Sequence, residues 1–227
     1  MDVIVVGGPH SGVGKTLAAE LVLRALHGRA YGAIKLTVAD GERDPEHDHG
    51  PAALAVASAA GVCGRGASCG VCESVSGRLP SRLIMSDAAI HKPNTDTSRL
   101  AAAGAACVAW VIALRDAAPA ALAAAADALQ AKGACGLVIE GTTALDWIVP
   151  RLSIMVATDP GRRWKDVALR RVGVCDVVIR NVTPQPVGDL DAPPQFASAS
   201  PVACDLGDAD HPGTRWFLSR VRESSAA

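Results

Sequence analysis

Aromatic side chains are scarce in this chain of 227 residues: they make up 3% of it, although 49% of the residues are hydrophobic. A core with so few large rings must be filled by Ala, Val, Leu and Ile. That composition suits a parallel sheet buried under Ala-rich helices. The length is sufficient for one α/β domain with a small appendage.

An excess of charge of one sign and long apolar runs are also missing. The 22 basic and 23 acidic residues leave a formal net charge of −1, and no long basic run occurs. Because binding to a nucleic-acid backbone needs a clustered positive surface, we expect no nucleic-acid partner. No apolar run approaches the roughly 20 residues of a membrane-spanning helix, so we expect no membrane partner either.

A secretory signal is not visible, since Asp2 stands where a basic start would be and the apolar strand after it ends in glycine. We therefore expect a cytoplasmic protein in a reducing compartment. In such a compartment the seven cysteines are expected to be core thiols or metal ligands rather than disulfides. Cys107, Cys135 and Cys175 lie in or beside predicted strands, and we assign them no site.

Strands alternate with helices along most of the chain. The predicted strands are 2–8, 30–36, 82–87, 107–114, 136–140, 152–158 and 176–181. The predicted helices are 16–27, 51–60, 97–103, 117–132, 165–172 and 213–222. This order predicts an α/β fold with a doubly wound, mostly parallel sheet. We assign residues 1–182 to this domain, including a Cys- and His-containing insertion at 37–80, and 183–227 to a C-terminal extension packed on it.

A glycine-rich segment, GGPHSGVGKT at residues 7–16, separates the first predicted strand from the first predicted helix. Glycines let backbone N–H groups point at a phosphate, and a helix N-terminus faces it with partial positive charge. This context predicts a P-loop NTPase fold, in which Lys15 reaches the phosphates and the Thr16 hydroxyl binds Mg²⁺. The predicted nucleotide-binding residues of the loop are Ser11, Gly12, Val13, Gly14, Lys15 and Thr16.

The loop departs from the usual pattern at one position. Pro9 stands where the first glycine of the pattern is expected, and Gly7 and Gly8 could make the turn instead. The alternative to a phosphate loop is a merely tight turn between a strand and a helix.

Two polar residues end predicted strands, where ligands of open α/β sheets bind. Glu140 ends the strand GLVIE and can hold Mg²⁺ or orient an attacking water, so we assign it a catalytic role together with Lys15. The alternative is a solvated carboxylate. Asn181 ends the last clear strand and could read a purine base, although Asn is also a frequent turn former. No Asn-Lys-x-Asp guanine signature occurs, so both ATP and GTP remain open.

Five segments carry a family resemblance. They are SGVGKT at 11–16, GAIKLT at 32–37, HDH at 47–49, TDTSRLAAAGA at 95–105 and IEGTTAL at 139–145. Together they resemble MobB-type proteins of molybdopterin-guanine dinucleotide biosynthesis, which belong to the SIMIBI group of P-loop NTPases. The resemblance covers most of residues 1–182. It implies a homodimer that binds nucleotide and works beside a metal-cofactor biosynthesis enzyme.

The same resemblance implies that Lys35, Asp96 and Arg99 lie near the nucleotide or in a cleft for a substrate or partner. Considered as residues, Lys35 after an apolar strand suits a cation near phosphates. Asp96 could equally be the N-cap of the helix that follows it. Arg99 could be a solvated helix residue.

A cysteine-rich stretch, VCGRGASCGVC, departs from that family pattern. Its cysteines, Cys63, Cys69 and Cys72, have the spacing C-x5-C-x2-C in a glycine-rich loop. Three thiolates suit an iron–sulfur cluster such as [4Fe–4S] or a Zn²⁺ ion. The remaining ligand could be His47 or His49, an open cluster position or a residue of a second subunit. A reversible disulfide and loop cysteines without a role are the alternatives.

The leading hypothesis from the sequence is a Mg²⁺-dependent protein that binds ATP or GTP, hydrolyses it slowly and assists molybdopterin-type cofactor biosynthesis. Two alternatives use the same loop. One is a small-molecule kinase or ligase-like phosphotransferase, and the other is a redox-sensing regulator that binds nucleotide.

Overall fold

One mixed sheet organises the chain. The computed structural model describes residues 1–39, 74–75, 78–158, 164–183 and 193–225. Within these ranges the strands are β1 (Asp2–Gly7), β2 (Tyr31–Ala39), β3 (Ser81–Ile84), β4 (Val108–Leu114), β5 (Gly136–Glu140), β6 (Leu152–Ala157), β7 (Val177–Asn181) and β8 (Val202–Cys204). They form an eight-stranded sheet in the order β3-β4-β2-β5-β1-β6-β7-β8. All neighbours are parallel except β3, which runs antiparallel to β4.

Helices cover both faces of the sheet. They are α1 (Lys15–Ala25), α2 (Asp87–Ile90), α3 (Asp96–Ala102), α4 (Ala118–Ala131), α5 (Asp166–Arg171), α6 (Pro194–Ser198) and α7 (Pro212–Ser224), with 3₁₀ turns at Arg115–Ala117, Thr142–Asp146 and Val172–Val174. One core contains residues of α1, α3 and α7, including the buried Leu100 and Phe217. The core on the opposite face contains residues of α4, α5 and α6, including Leu129 and Phe196. The predicted α/β class with a mostly parallel sheet is therefore confirmed.

Searched for membrane spans, the described part of the chain contains no helix that is both long enough and apolar enough to cross a bilayer.

The edges of the sheet differ from the sequence prediction. A strand was expected at 82–87, but β3 ends at Ile84 and α2 follows from Asp87. At the other edge, β8 and α6 were not predicted, and β8 pairs with β7. A strand of three residues carries too little periodicity to be recognised. Its position is set by pairing with β7 and by packing against α7.

The predicted insertion at 37–80 can be followed only at its ends. β2 continues to Ala39, three residues beyond the predicted strand. The predicted helix at 51–60 lies outside the described residues, as do the ligand candidates His47, His49, Cys63, Cys69 and Cys72.

The central strands bring the candidate site residues to one edge of the sheet. β5 lies between β1 and β2, and its last residue, Glu140, is in register with Val6 on β1 and Lys35 on β2. Because parallel strands point the same way, the segments after them leave the sheet at the same edge. The glycine-rich loop after β1 thus lies beside Glu140.

Candidate nucleotide-binding site

The glycine-rich segment forms the connection between β1 and α1. Gly12 and Gly14 have φ angles of 84° and 102°, in the left-handed region that favours glycine. Gly14 is the residue before α1, and its carbonyl accepts the first helical hydrogen bond, from the Ala18 amide at 2.8 Å. No side-chain hydrogen bond caps α1 at Gly14. The first N–H groups of α1 are thus oriented as in sites that receive an anion.

Gly8 makes the close approach that the loop requires. A Cβ at this position would lie 2.6 Å from the Val156 carbonyl oxygen, so no larger residue fits without a shift. The Thr142 hydroxyl donates to the Gly8 carbonyl at 2.6 Å and accepts from the Gly8 amide at 2.8 Å. Pro9 follows this clamp, and its carbonyl accepts from the Lys165 amide at 3.2 Å. This role of Thr142 was not predicted from the sequence, although Thr142 is part of the IEGTTAL segment.

Asn181 lies against the loop. Its Nδ2 donates to the Val13 carbonyl at 3.1 Å, and its Oδ1 accepts from the Thr183 amide at 3.1 Å. The side chain is buried, and a Cβ on Gly14 would lie 2.7 Å from Nδ2. Both ends of the amide are therefore hydrogen-bonded to backbone. The base-reading role suggested by the sequence stays a prediction, and these contacts show that the side chain also supports the loop.

Four polar side chains meet behind the loop, and we call them the polar cluster: Thr16, Lys35, Asp96 and Glu140. The Thr16 hydroxyl lies 3.1 Å from Asp96 Oδ1 and 3.0 Å from Glu140 Oε1. Lys35 Nζ lies 2.6 Å from Asp96 Oδ2 and 2.5 Å from Glu140 Oε1. Sequence positions from 16 to 140 thus form one continuous site.

Secondary structure explains why the polar cluster forms. Thr16 is in the first turn of α1, while Lys35 and Glu140 are register neighbours on adjacent strands. Asp96 is the first residue of α3. The cap of that helix is Thr95, whose hydroxyl accepts from the Ser98 amide at 3.3 Å. Asp96 is thus not the N-cap, which was the structural alternative for it, and its carboxylate faces Lys35 and Thr16 instead.

Charge and burial act against each other in the polar cluster. Burial alone would lower the pKa of Lys35, but the charges of Glu140 and Asp96 outweigh it and hold that pKa above its ordinary value. Burial alone would raise the pKa of Asp96, but the Lys35 charge and the hydrogen bonds from Lys35 and Thr16 hold it below its ordinary value. The charged forms of Lys35 and Asp96 are therefore both favoured.

Glu140 is the most deeply buried member, with 1% of its side chain exposed. Lys35 and Thr16 both contact Oε1. Its second oxygen, Oε2, is buried and has no hydrogen-bond partner among the residues that the structure places. A buried carboxylate oxygen without a hydrogen-bond partner is costly, and a bound water, ion or ligand atom would remove that cost.

Arg99 does not join the polar cluster directly. Its Nε lies 2.5 Å from Glu20 Oε1 on α1, and Arg24 contacts the other Glu20 oxygen at 3.1 Å. Glu20 is one turn after Thr16, and Arg99 is one turn after Asp96. Two polar contacts one turn apart therefore link α1 to α3.

Lys15 points back into the loop, where its Nζ donates to the His10 carbonyl. His10 is itself buried, and its Nδ1 lies 2.8 Å from the Ser11 carbonyl oxygen. Lys15, which was expected to bind phosphate, is thus hydrogen-bonded within the loop itself.

In the described ranges, no group of three or more His, Cys, Asp and Glu side chains could hold a metal ion. The polar cluster offers two carboxylates and a hydroxyl. This smaller donor set is typical of Mg²⁺ in nucleotide sites, where phosphate oxygens and water complete the shell.

Comparisons of the chain with protein-family models, curated proteins and solved structures found no match.

Proposed function

We propose that this chain is a P-loop NTPase: a Mg²⁺-dependent protein that binds a nucleoside triphosphate in the loop 7–16 and hydrolyses it slowly. One observation carries the proposal. The Thr16 hydroxyl, directly after the glycine-rich loop and Lys15, meets the carboxylates of Asp96 and Glu140 at 3.1 and 3.0 Å. A tight turn without a ligand would need no such convergence.

The polar cluster fits a magnesium ion. The Glu140 Oε2 atom is buried without a hydrogen-bond partner among the described residues, and the Thr16 hydroxyl, which also contacts Asp96, lies 3.0 Å from the other oxygen of the same carboxylate. The residues that would hold the ion are Thr16, Glu140 and, beyond the sequence-based expectation, Asp96. When bound, Mg²⁺ neutralises charge on the β- and γ-phosphates.

Electrostatics supports a bound cation at this position. Lys35 contributes one positive charge against the two carboxylates of Asp96 and Glu140, so the three side chains carry a net charge of −1. A negative group beside a phosphate loop repels a polyphosphate. Lys35 alone therefore does not make this site suitable for a triphosphate.

The residues of the chain take distinct roles in the proposal. The amides of residues 11–16 bind phosphate oxygens, and Lys15 turns from the His10 carbonyl to the same oxygens. Glu140 orients the attacking water, and Lys35 fixes the Glu140 carboxylate. Arg99 is held by Glu20 and does not act as an arginine finger, a group whose presence accelerates hydrolysis by about 10³ or more.

Lys15→Ala tests the phosphate site. Because Lys15 supplies the positive charge within the loop, the affinity for ATP and for GTP should fall about tenfold or more, measured by calorimetry with Mg²⁺ present. Lys132→Ala, an exposed lysine after α4, is the matched control and should leave both affinities unchanged. An unchanged affinity in Lys15→Ala would sink the proposal. Phosphate release without an acceptor supports hydrolysis, whereas transfer to a small molecule would favour a phosphotransferase.

We propose an accessory role in metal-cofactor biosynthesis as the setting of this activity. Its support is the resemblance of the five sequence segments to MobB-type proteins and the spacing of Cys63, Cys69 and Cys72. The proposed form is a homodimer whose cysteines hold an iron–sulfur cluster or Zn²⁺. Anaerobic purification followed by absorption spectroscopy, metal analysis and light scattering tests it. A metal-free monomer with a disulfide in this stretch would contradict it.

A further inference from the structure

Three arginines surround one carboxylate beyond the ends of β4 and β5, and we call this group the arginine cluster: Arg115, Arg170 and Arg171 around Asp146. Asp146 Oδ2 lies 3.4 Å from Arg115 Nη1 and 3.4 Å from Arg170 Nη2. Asp146 Oδ1 lies 3.2 Å from Arg171 Nε. These side chains take no part in the site proposed above.

The arginine cluster has more positive charge than Asp146 can balance. Arg170, Arg171 and Asp146 alone sum to a charge of +1. Asp146 is 14% exposed, whereas the side chains of Arg115, Arg170 and Arg171 are 43%, 58% and 38% exposed. The contacts are longer than the about 2.8 Å of strong charge-assisted hydrogen bonds. Asp146 therefore gathers the guanidinium groups of Arg170 and Arg171 without using their full capacity to donate.

A ring contact and helix packing hold these arginines in place. Arg115 directly follows β4, and its guanidinium lies over the Trp147 ring, 6.0 Å from the centroid. Arg170 and Arg171 are in the last turn of α5, which packs against the Thr142–Asp146 turn. Arginines fixed in this way lose less side-chain freedom when they bind an anion.

The arginine cluster lies close to the phosphate loop. The 3₁₀ turn Thr142–Asp146 begins at the residue that clamps Gly8 and ends at the carboxylate of the arginine cluster. At about 2.0 Å of rise per residue, the two ends are roughly 8 Å apart along the turn. Both groups are at the edge of the sheet where ligands of open α/β folds bind.

We propose that the arginine cluster is a second anion site, which binds a phosphate group of a small-molecule ligand other than the nucleotide. Guanidinium groups match phosphate because they donate paired hydrogen bonds to its oxygens. Asp146 orients the arginines, and Arg170 and Arg171 make the principal contacts. The site extends the proposed function by a second ligand and does not depend on it, because its arginines are distinct from the loop.

Phosphate binding to the Lys15→Ala protein tests this site separately from the loop. Inorganic phosphate should bind in calorimetry and change the intrinsic tryptophan fluorescence, to which Trp147 contributes, since Arg115 lies over that ring. Sodium chloride at matched ionic strength should do neither. Phosphate binding that disappears in Lys15→Ala would place the anion in the loop and overturn the inference.

The double substitution of Arg170→Gln and Arg171→Gln should weaken phosphate binding about tenfold or more in that background. Arg220→Gln is the matched control, because Arg220 is an exposed helical arginine paired with Glu223 at 2.8 Å. If the double variant binds phosphate with the affinity of its parent, the arginine cluster is not an anion site and its contacts are only structural. Asp146→Asn provides a second check: phosphate should raise its melting temperature more than that of wild type, because its arginines lack their shared counter-ion. An equal or smaller rise would contradict the proposal.

Discussion

Lys35 and Glu140 face each other in register on β2 and β5, and Lys35 Nζ lies 2.5 Å from Glu140 Oε1. This pair joins the centre of the sheet to the proposed phosphate site, because Thr16 contacts the same glutamate oxygen. Asp96 completes the group from α3. The pair also explains why a lysine is tolerated inside an aliphatic core region: two carboxylates compensate its burial.

Lys35→Met should destabilise the protein and make it respond to magnesium. Removal of the lysine leaves two neighbouring carboxylates without their cation, and loss of one partner of a buried pair costs about 3 kcal/mol. Added Mg²⁺ should recover part of this loss. Denaturant unfolding with and without Mg²⁺ measures both effects, and Lys132→Met serves as the exposed control. A Lys35→Met protein that is as stable as wild type, and whose stability does not change with Mg²⁺, would contradict this role of Lys35.

Gly14→Ala should destabilise the protein more than the same substitution at another glycine with a left-handed backbone. Its φ of 102° already disfavours alanine, and the new Cβ would lie 2.7 Å from Asn181 Nδ2. We expect a loss of about 2 kcal/mol in unfolding free energy and weaker nucleotide binding. Gly133→Ala is a matched control, with a φ of 94° and no atom within 4 Å of the added Cβ. Equal stability losses in the two variants, with nucleotide affinity intact, would argue against a tightly positioned loop.

Asn181→Ala separates support of the loop from recognition of the base. Its amide donates to the Val13 carbonyl, so the variant should lose about 1 kcal/mol or more in stability. Affinity for ATP and GTP should fall by the same factor, because the loop binds phosphates common to both. Parallel titrations with the two nucleotides give this ratio. A selective loss of affinity for one nucleotide would instead support the base-reading role.

Cys135 should be alkylated faster than Cys175 and Cys204 in the native protein. Burial raises the pKa of the Cys175 and Cys204 thiols to about 11, whereas Cys135 is exposed. Near pH 8, about three units lower, little thiolate forms at Cys175, which is partly buried, or at Cys204, which is buried. Iodoacetamide labelling with peptide mapping should give rates at least roughly tenfold apart, and unfolding should remove the difference. Similar native rates would contradict the described burial.

The sequence predicted the central elements better than the edges and better than the contacts within the site. The strands β1 and β5 are each marked by a continuous apolar run. The loop is marked by glycines at positions such as Gly12 and Gly14, whose positive φ angles favour glycine. β8 has three residues and depends on pairing with β7, so no local pattern marks it. The antiparallel direction of β3 is likewise a property of the assembled sheet.

In the site, too, residues with a local sequence pattern could be predicted, whereas their contacts could not. Lys15, Thr16 and Glu140 could be selected because each stands at a defined position after a strand or glycine loop. Their mutual contacts depend on strand register, which the chain does not display locally. Thr142 and the shared contacts of Asp146 were missed because a threonine in a turn and an aspartate among arginines have many structural uses. Their roles require the assembled fold.

The most direct measurement is the affinity for ATP and GTP in the presence and absence of Mg²⁺, in wild type and in Glu140→Gln. Wild type should bind one or both nucleotides about tenfold or more tightly with Mg²⁺, and this gain should be lost in Glu140→Gln. Asp127→Asn, an exposed carboxylate on α4, should behave as wild type. Wild-type protein that binds neither nucleotide, or binds with an affinity independent of Mg²⁺, would contradict the central claim.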